Sequence, residues 1–228
     1  RQMCIRDRLQ CDILMHYRLI PNSFHFENLS LFNTSYRGLH MKNNTYENDV
    51  RILGGKFKGK LLPVLDVEGL RPTPSRVRET IFSWIKDSLG NAKDLFAGSG
   101  ALGLEAYSRG AKDVTLVELD KDNSSNLKVI AKSMSYDEIH VINDDALHFL
   151  DNVSSTFNIV FIDPPYKLDI YEKVLEKLLD KNLIDDDSLI YVEMRNGSNK
   201  IVPGYEIIRE ENAGQSKYSL WTKSKLLF

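Results

Sequence analysis

From residue 92 onward the apolar positions switch between two spacings. Continuous or alternating apolar runs at 93–97, 113–118, 139–143, 157–162 and 188–194 predict strands. Stretches with a 3.6-residue period near 101–109, 121–134, 145–152 and 169–181 predict helices. The last of these carries Ile170, Val174, Leu175, Leu178 and Leu179 in one stripe, and Gly110 stands where a helix ending near 109 favours a glycine C-cap. Strand and helix in alternation imply an α/β fold with a mostly parallel sheet covered on both faces. The end of the chain departs from this rhythm. Tyr205-Glu206-Ile207-Ile208-Arg209 and Tyr218-Ser219-Leu220-Trp221-Thr222 are separated by a polar turn containing Gly214 and no helix, which predicts an antiparallel hairpin at the sheet edge.

Ahead of the alternating region, short apolar runs in 51–64 flank Gly54, Gly55 and Gly59 and predict a small β-hairpin. Thr73-Pro74 reads as an N-cap followed by proline at the first helical position, and the helix it opens places Val77, Ile81, Trp84, Ile85 and Leu89 on one face. Residues 1–40 show no sustained period. The opening Arg1-Gln2-Met3-Cys4-Ile5-Arg6-Asp7-Arg8 reads as translated adaptor sequence, so Met41 is the expected natural start; an upstream fragment or a weak targeting leader are the alternatives. The expected organisation is a foreign or unstructured leader over 1–40, a basic hairpin and helix over 41–90, and the α/β domain over 91–228.

Composition narrows the partners. The chain has 228 residues, 42% of them hydrophobic, enough for a sizeable core, and a net charge of −2, so any nucleic-acid contact must come from a local patch. Between Val50 and Glu79 seven basic residues stand against two acidic ones. Arg51, Lys56, Lys58, Arg71, Arg76 and Arg78 are the candidate phosphate contacts; a solvated hairpin face is the alternative. Arg76 and Arg78 sit at a helix start, where cations oppose the dipole, so an anionic partner accounts for them better than helix stability does. No run of 18 apolar residues exists, so no membrane span is expected. Cys4 and Cys11 form no disulfide framework and no Cys/His cluster has zinc-ligand spacing, so a metal-free, cytoplasmic protein is expected.

The chemistry gathers at the ends of the predicted strands. Gly98-Ser99-Gly100-Ala101-Leu102-Gly103 matches G-x-G-x-x-G, and Glu118 follows Gly98 by 20 residues, as a dinucleotide fingerprint asks. NAD is therefore the first rival. The wider pattern Asp94-x-Phe96-x-Gly98-x-Gly100 resembles motif I of class I S-adenosylmethionine methyltransferases, in which the acidic residue lies near the amino-acid end of the ligand. Glu118 is then placed to accept from both ribose hydroxyls. Asp145, before Ala146, is the candidate acceptor for the adenine amine, with an N-cap as its alternative or additional role.

Asp163-Pro164-Pro165-Tyr166 follows a buried strand and gives up two backbone donors. It resembles motif IV of amino-methyltransferases acting on nucleobases or glutamine amides. Such a nitrogen is planar and a poor nucleophile. Asp163 and the Pro164 carbonyl can both accept from it and aim its lone pair, while Tyr166 offers a stacking face worth roughly 1–3 kcal/mol per base.

Together, Arg51 to Gly55, Gly69 to Thr73, Arg76 to Phe82, Asp94 to Glu105 and Asp163 to Tyr166 resemble the bacterial 16S ribosomal RNA (guanine(966)-N(2))-methyltransferase family over about residues 50–222. The resemblance implies a Rossmann-like class I methyltransferase domain with a seven-stranded sheet, acting on the exocyclic amine of a guanine in 16S rRNA of the 30S subunit or its assembly intermediate; a monomer is expected. It implies S-adenosyl-L-methionine as cofactor, with Asp94, Phe96, Gly98, Gly100, Gly103, Glu118, Asp145 and Ala146 around it, and Asp163, Pro164 and Tyr166 on the target base. The rivals are an adenine-N6 DNA methyltransferase, a glutamine-N5 protein methyltransferase, an NAD oxidoreductase that leaves Asp163 to Tyr166 without a role, and a non-catalytic RNA-binding assembly factor.

Overall fold

The computed structural model describes residues 49–65, 72–86, 89–135, 137–198 and 201–225. The expected leader over 1–40, the expected start at Met41, and Arg71 lie outside the described residues. The chain enters through a two-stranded antiparallel pair, β1 (Asp49–Arg51) and β2 (Leu61–Pro63), with Val50 opposite Leu62. Helix α1 (Ser75–Ile85) follows. Its cap is Pro74 rather than Thr73, and the first intrahelical bond runs from Arg78 N–H to Pro74 O at 3.0 Å. The Thr73 hydroxyl is used elsewhere, as shown below. Leu89 lies beyond the helix, though still buried; the buried stripe is Val77, Arg78, Ile81, Phe82 and Ile85.

The remaining strands are β3 (Asn91–Asp94), β4 (Asp113–Glu118), β5 (Ile139–Asn143), β6 (Phe157–Ile162), β7 (Ile184–Arg195), β8 (Tyr205–Ala213) and β9 (Ser216–Lys223). They form one seven-stranded sheet in the order β5-β4-β3-β6-β7-β9-β8. The five strands from β5 to β7 run parallel, and β9 and β8 close the edge antiparallel. The fold is thus the expected α/β class. The first parallel strand is shorter than the 93–97 expected because Leu95–Ala97 already turns toward the glycine loop, yet it stays tied to both neighbours through Leu95 N–H to Phe161 O (3.1 Å) and Ala97 N–H to Val117 O (2.9 Å). Strand β7 starts earlier than expected, with a register shift against β6 between Phe157 and Ile159; Ser188 Oγ donates there to Phe157 O at 2.7 Å.

Helices α2 (Ala101–Ser108), α3 (Lys121–Lys132), α4 (Ala146–Asn152) and α5 (Tyr171–Asp180) complete the layers. Period-2 alternation in the strands divides the core in two. Ile159 and Phe161 pack with the apolar faces of α1, α2 and α3, whereas Val160 and Ile162 pack with α4 and α5. Helix α2 ends as its glycine foretold: Gly110 (φ 114) donates to Tyr107 O and Ala111 to Ala106 O, the two bonds of a Schellman motif. Because the chain leaves β3 first toward β5 and later returns to place β6 on its other side, the strand order reverses at β3. In such sheets the crevice for a ligand opens beyond the carboxyl ends of the strands at that reversal.

Candidate active site

A cleft of about 860 Å³ opens at that crevice, and its wall is built from the strand ends. Asp94 closes β3, Glu118 closes β4, Asp144 and Asp145 follow β5, and Asp163 follows β6; all five line the cleft. The loop after β3 contributes Phe96 and Gly98, and Ala146 lines the cleft from the start of α4. Thus six of the eight expected cofactor residues, and Asp163, Pro164 and Tyr166, share one cavity.

Gly100 and Gly103 do not line it, and both shape the loop. Gly100 sits at φ 73, a left-handed conformation, immediately before α2; a Cβ there would come within 2.8 Å of Leu104 and Leu127 side-chain atoms. Gly103 has its open side filled by Leu116, which an added Cβ would meet at 2.3 Å. Its N–H donates to Asp94 Oδ2 at 3.0 Å, so the helix fixes the carboxylate it packs against. Asp94 is 1% exposed. Burial, reinforced by the nearby charge of Glu118, raises its pKa to about 7 against the opposing Gly103 bond.

Glu118 is held by two backbone donors, Gly98 N–H on Oε2 and Asp120 N–H on Oε1, each at 2.8 Å. A carboxylate oxygen has two acceptor positions, so each retains one. Asn123 crosses behind the loop and donates from Nδ2 to Gly98 O at 2.5 Å. Asp145 does cap α4: its Oδ1 accepts from Leu147 N–H at 2.9 Å and His148 N–H at 3.1 Å.

At the other end of the cleft, Asp163 accepts from the Thr73 hydroxyl at 3.3 Å. Burial, then the charges of Glu193 and Asp94, raise its pKa well above the usual carboxylate range, with the Thr73 bond opposing. The turn after it closes through Leu168 N–H to Pro165 O at 2.8 Å. Tyr166 is 41% exposed, and its hydroxyl is anchored by Ser216 Oγ and by Glu193 Oε1 at 3.3 Å. Although three carboxylates converge here, the described residues hold no group of three or more His, Cys, Asp or Glu in a metal-holding arrangement. Excess negative charge facing a cavity suits a cationic ligand, and S-adenosylmethionine carries both a sulfonium and an ammonium.

Glu193 was not among the expected residues. A lone acid in the apolar run Leu189-Ile190-Tyr191-Val192-Glu193-Met194 is the signal that marks it. Thr73 and Ser216, the latter the first residue of β9, carried no such signal.

The basic residues divide. Arg76 is exposed, one position from the cleft-lining Val77. Arg51, Lys56 and Lys58 are exposed on the hairpin. The hairpin loop docks on the C-terminal end of α2, where Lys56 N–H donates to Ser108 O and Phe57 N–H to Ser108 Oγ, and Phe57 stacks on Tyr107. Lys56 and Lys58 therefore lie near the end of α2 remote from the glycine loop, about 12 Å along the helix axis. Arg78 must be corrected: it is 2% exposed and bonded to Glu105, to the carbonyls of Thr73 and Arg51, and to Ser75. Its guanidinium is a structural tie and has no surface to offer a phosphate.

Residues 50–222 match the family described as conserved hypothetical protein 95. The ribosomal RNA small subunit methyltransferase D of Escherichia coli strain K12 is 40% identical over 185 residues, which cover 79% of this chain and 93% of that protein. The protein of the same name from Haemophilus influenzae is 38% identical over 182 residues, 77% of this chain and 94% of its own. The solved structure of yhhF from Escherichia coli matches with a TM-score of 0.70 at 38% identity, covering 77% of this chain and 98% of that one.

Proposed function

The chain belongs to the conserved hypothetical protein 95 family, and from that premise we propose that it transfers a methyl group from S-adenosyl-L-methionine to the exocyclic N2 of a guanine in 16S rRNA of the small ribosomal subunit. Two relatives bear the name of small-subunit rRNA methyltransferases over nearly their whole length. The observation that carries the reading is the placement of Asp163 and Tyr166 in one turn, opening on the same cleft as the glycine loop.

When bound, S-adenosylmethionine supplies an electrophilic methyl on a cationic sulfur. The chain's residues do the rest. Asp94 would hold the amino-acid end, Glu118 would offer its remaining acceptor positions to the ribose diol, and Asp145 would accept from the adenine amine with its second oxygen. Tyr166 presents its face to the target base, and Asp163 with the Pro164 carbonyl accepts from the amine. Those acceptors draw the nitrogen out of conjugation and point its lone pair at the methyl. The N–C bond forms as the S–C bond breaks, and the amine then sheds one proton.

The test is transfer from labelled cofactor to 30S particles lacking the modification, with free 16S rRNA and duplex DNA in parallel and the product nucleoside identified by mass spectrometry. N2-methylguanosine in the rRNA is expected. Asp163→Ala is expected to bind cofactor normally while losing at least about 10²-fold in single-turnover rate. N6-methyladenine in DNA, or unchanged transfer by Asp163→Ala, overturns the assignment.

A further inference from the structure

Strands β6 and β7 are parallel neighbours in register, with Phe161 opposite Tyr191 and Ile162 opposite Val192. Asp163 and Glu193 are the next residues after this last pair. Asp163 lies just past the end of β6, and continuing the alternation puts the two on the same side. That side is the one on which Phe161 meets Tyr191 edge-on, the side of α1. Both line the cleft. Glu193 is 6% exposed and is oriented by a donor on each oxygen: Tyr166 Oη on Oε1 at 3.3 Å and Tyr191 Oη on Oε2 at 2.8 Å. Each oxygen keeps a second acceptor position. The Tyr166 bond also ties the stacking face to this carboxylate, so a base lying on that ring has Glu193 at its edge.

The floor of the cleft therefore offers two neighbouring acceptors. The complementary partner is a planar edge with two neighbouring donors. Guanine has one, the N1–H beside the N2 amine. Adenine places a bare N1 acceptor beside its amine, and cytosine a bare N3, so either would set lone pairs against a carboxylate. We propose that Glu193 is the base-selecting residue, accepting from guanine N1–H while Asp163 accepts from the N2 amine. This inference rests on the base-methylation reading above and adds the reason for guanine.

The test uses 30S particles reconstituted with guanine or 2-aminopurine at the methylated position. 2-Aminopurine keeps the amine that receives the methyl and lacks the N1 proton. Wild type is expected to favour guanine by about 10- to 100-fold in kcat/KM. Glu193→Gln retains size and presents an amide that can donate to the bare N1, so its preference is expected to shrink or reverse. Glu193→Ala is expected to lose the preference without gaining one for 2-aminopurine. Cofactor affinity measured on both variants verifies that the site is intact. Variants that keep the wild-type preference while methylating overturn the role of Glu193 and leave the base-methylation reading standing. A wild-type enzyme whose product on unsubstituted 30S particles is a methylated base other than guanine overturns both.

Discussion

At the scale of single residues, Asp94 ties cofactor capture to pH. Its carboxyl titrates at about 7, raised first by burial and then by Glu118. In the unfolded chain it titrates near 4. Between those values the folded protein holds a proton that the unfolded chain has released. Stability from this group is therefore full below about pH 4 and is lost as pH rises through about 7. A cation bound beside Asp94 favours the ionised form and reverses that loss. Affinity for S-adenosylmethionine should climb with pH and level off near 7, falling below that by up to about tenfold per pH unit. Calorimetric titration across pH 5.5–7.5 measures the slope, and Asp94→Asn should flatten it. A wild-type profile already flat across that range would show that Asp94 does not hold the cationic end. Asp163, pushed up by burial and by Glu193, adds a second group of the same sign at the target-base end.

At the scale of elements, the hairpin and α2 are joined by one buried side chain. Glu105 is fully buried and accepts from Leu53 N–H and Gly54 N–H at 2.8 Å, from Arg78 at 3.3 Å, and from Arg109 at 2.7 Å. It links the hairpin, α1 and α2 through a single carboxylate. Backbone shape reinforces the joint: Gly55 has φ 75, and a Cβ there would fall 1.7 Å from the Ser108 carbonyl oxygen. Removing one partner of a buried ion pair strands the other charge, so Glu105→Ala should lower unfolding stability by roughly 3–5 kcal/mol. Urea unfolding measures this; a loss under about 1 kcal/mol would mean that water compensates Arg78. The basic character of the helix start is thus partly internal. Arg78 spends its charge on Glu105, and of the two only Arg76 is exposed.

At the scale of the whole molecule, a chain of net charge −2 carries its accessible cations unevenly. Arg76 stands by the cleft, while Lys56 and Lys58 stand near the remote end of α2, so an RNA held by all three must track along the hairpin rather than meet the protein at one point. Each phosphate contact contributes about 0.7–0.9 to the slope of log affinity against log salt. Lys56→Ala combined with Lys58→Ala should weaken binding to 30S particles and reduce that slope by up to about 2, with cofactor affinity unchanged. Filter binding at several salt concentrations decides it; an unaltered slope would make the two lysines a solvated face. Among the described residues no helix is long and apolar enough to cross a membrane.

Periodicity and local chemistry were enough, by themselves, to reveal the alternating elements, the parallel sheet with its antiparallel edge, the glycine loop, and the acids at the strand ends. These features depend on neighbours in the chain: an apolar run followed by Gly98 or by Asp163-Pro164-Pro165 reads the same wherever the segment lies. What the order of residues did not disclose depends on partners far away along it. Arg78 and Arg76 are two positions apart and chemically alike, yet one is consumed by Glu105, 27 residues on, and the other is exposed. Thr73 looks like a helix cap and instead bonds Asp163, 90 residues away. Glu193 becomes a partner of Asp163 only because β6 and β7 lie side by side in register. Charge pairing and hydrogen bonding act over a few ångströms of space, and packing, not spacing in the chain, sets which groups come within that reach.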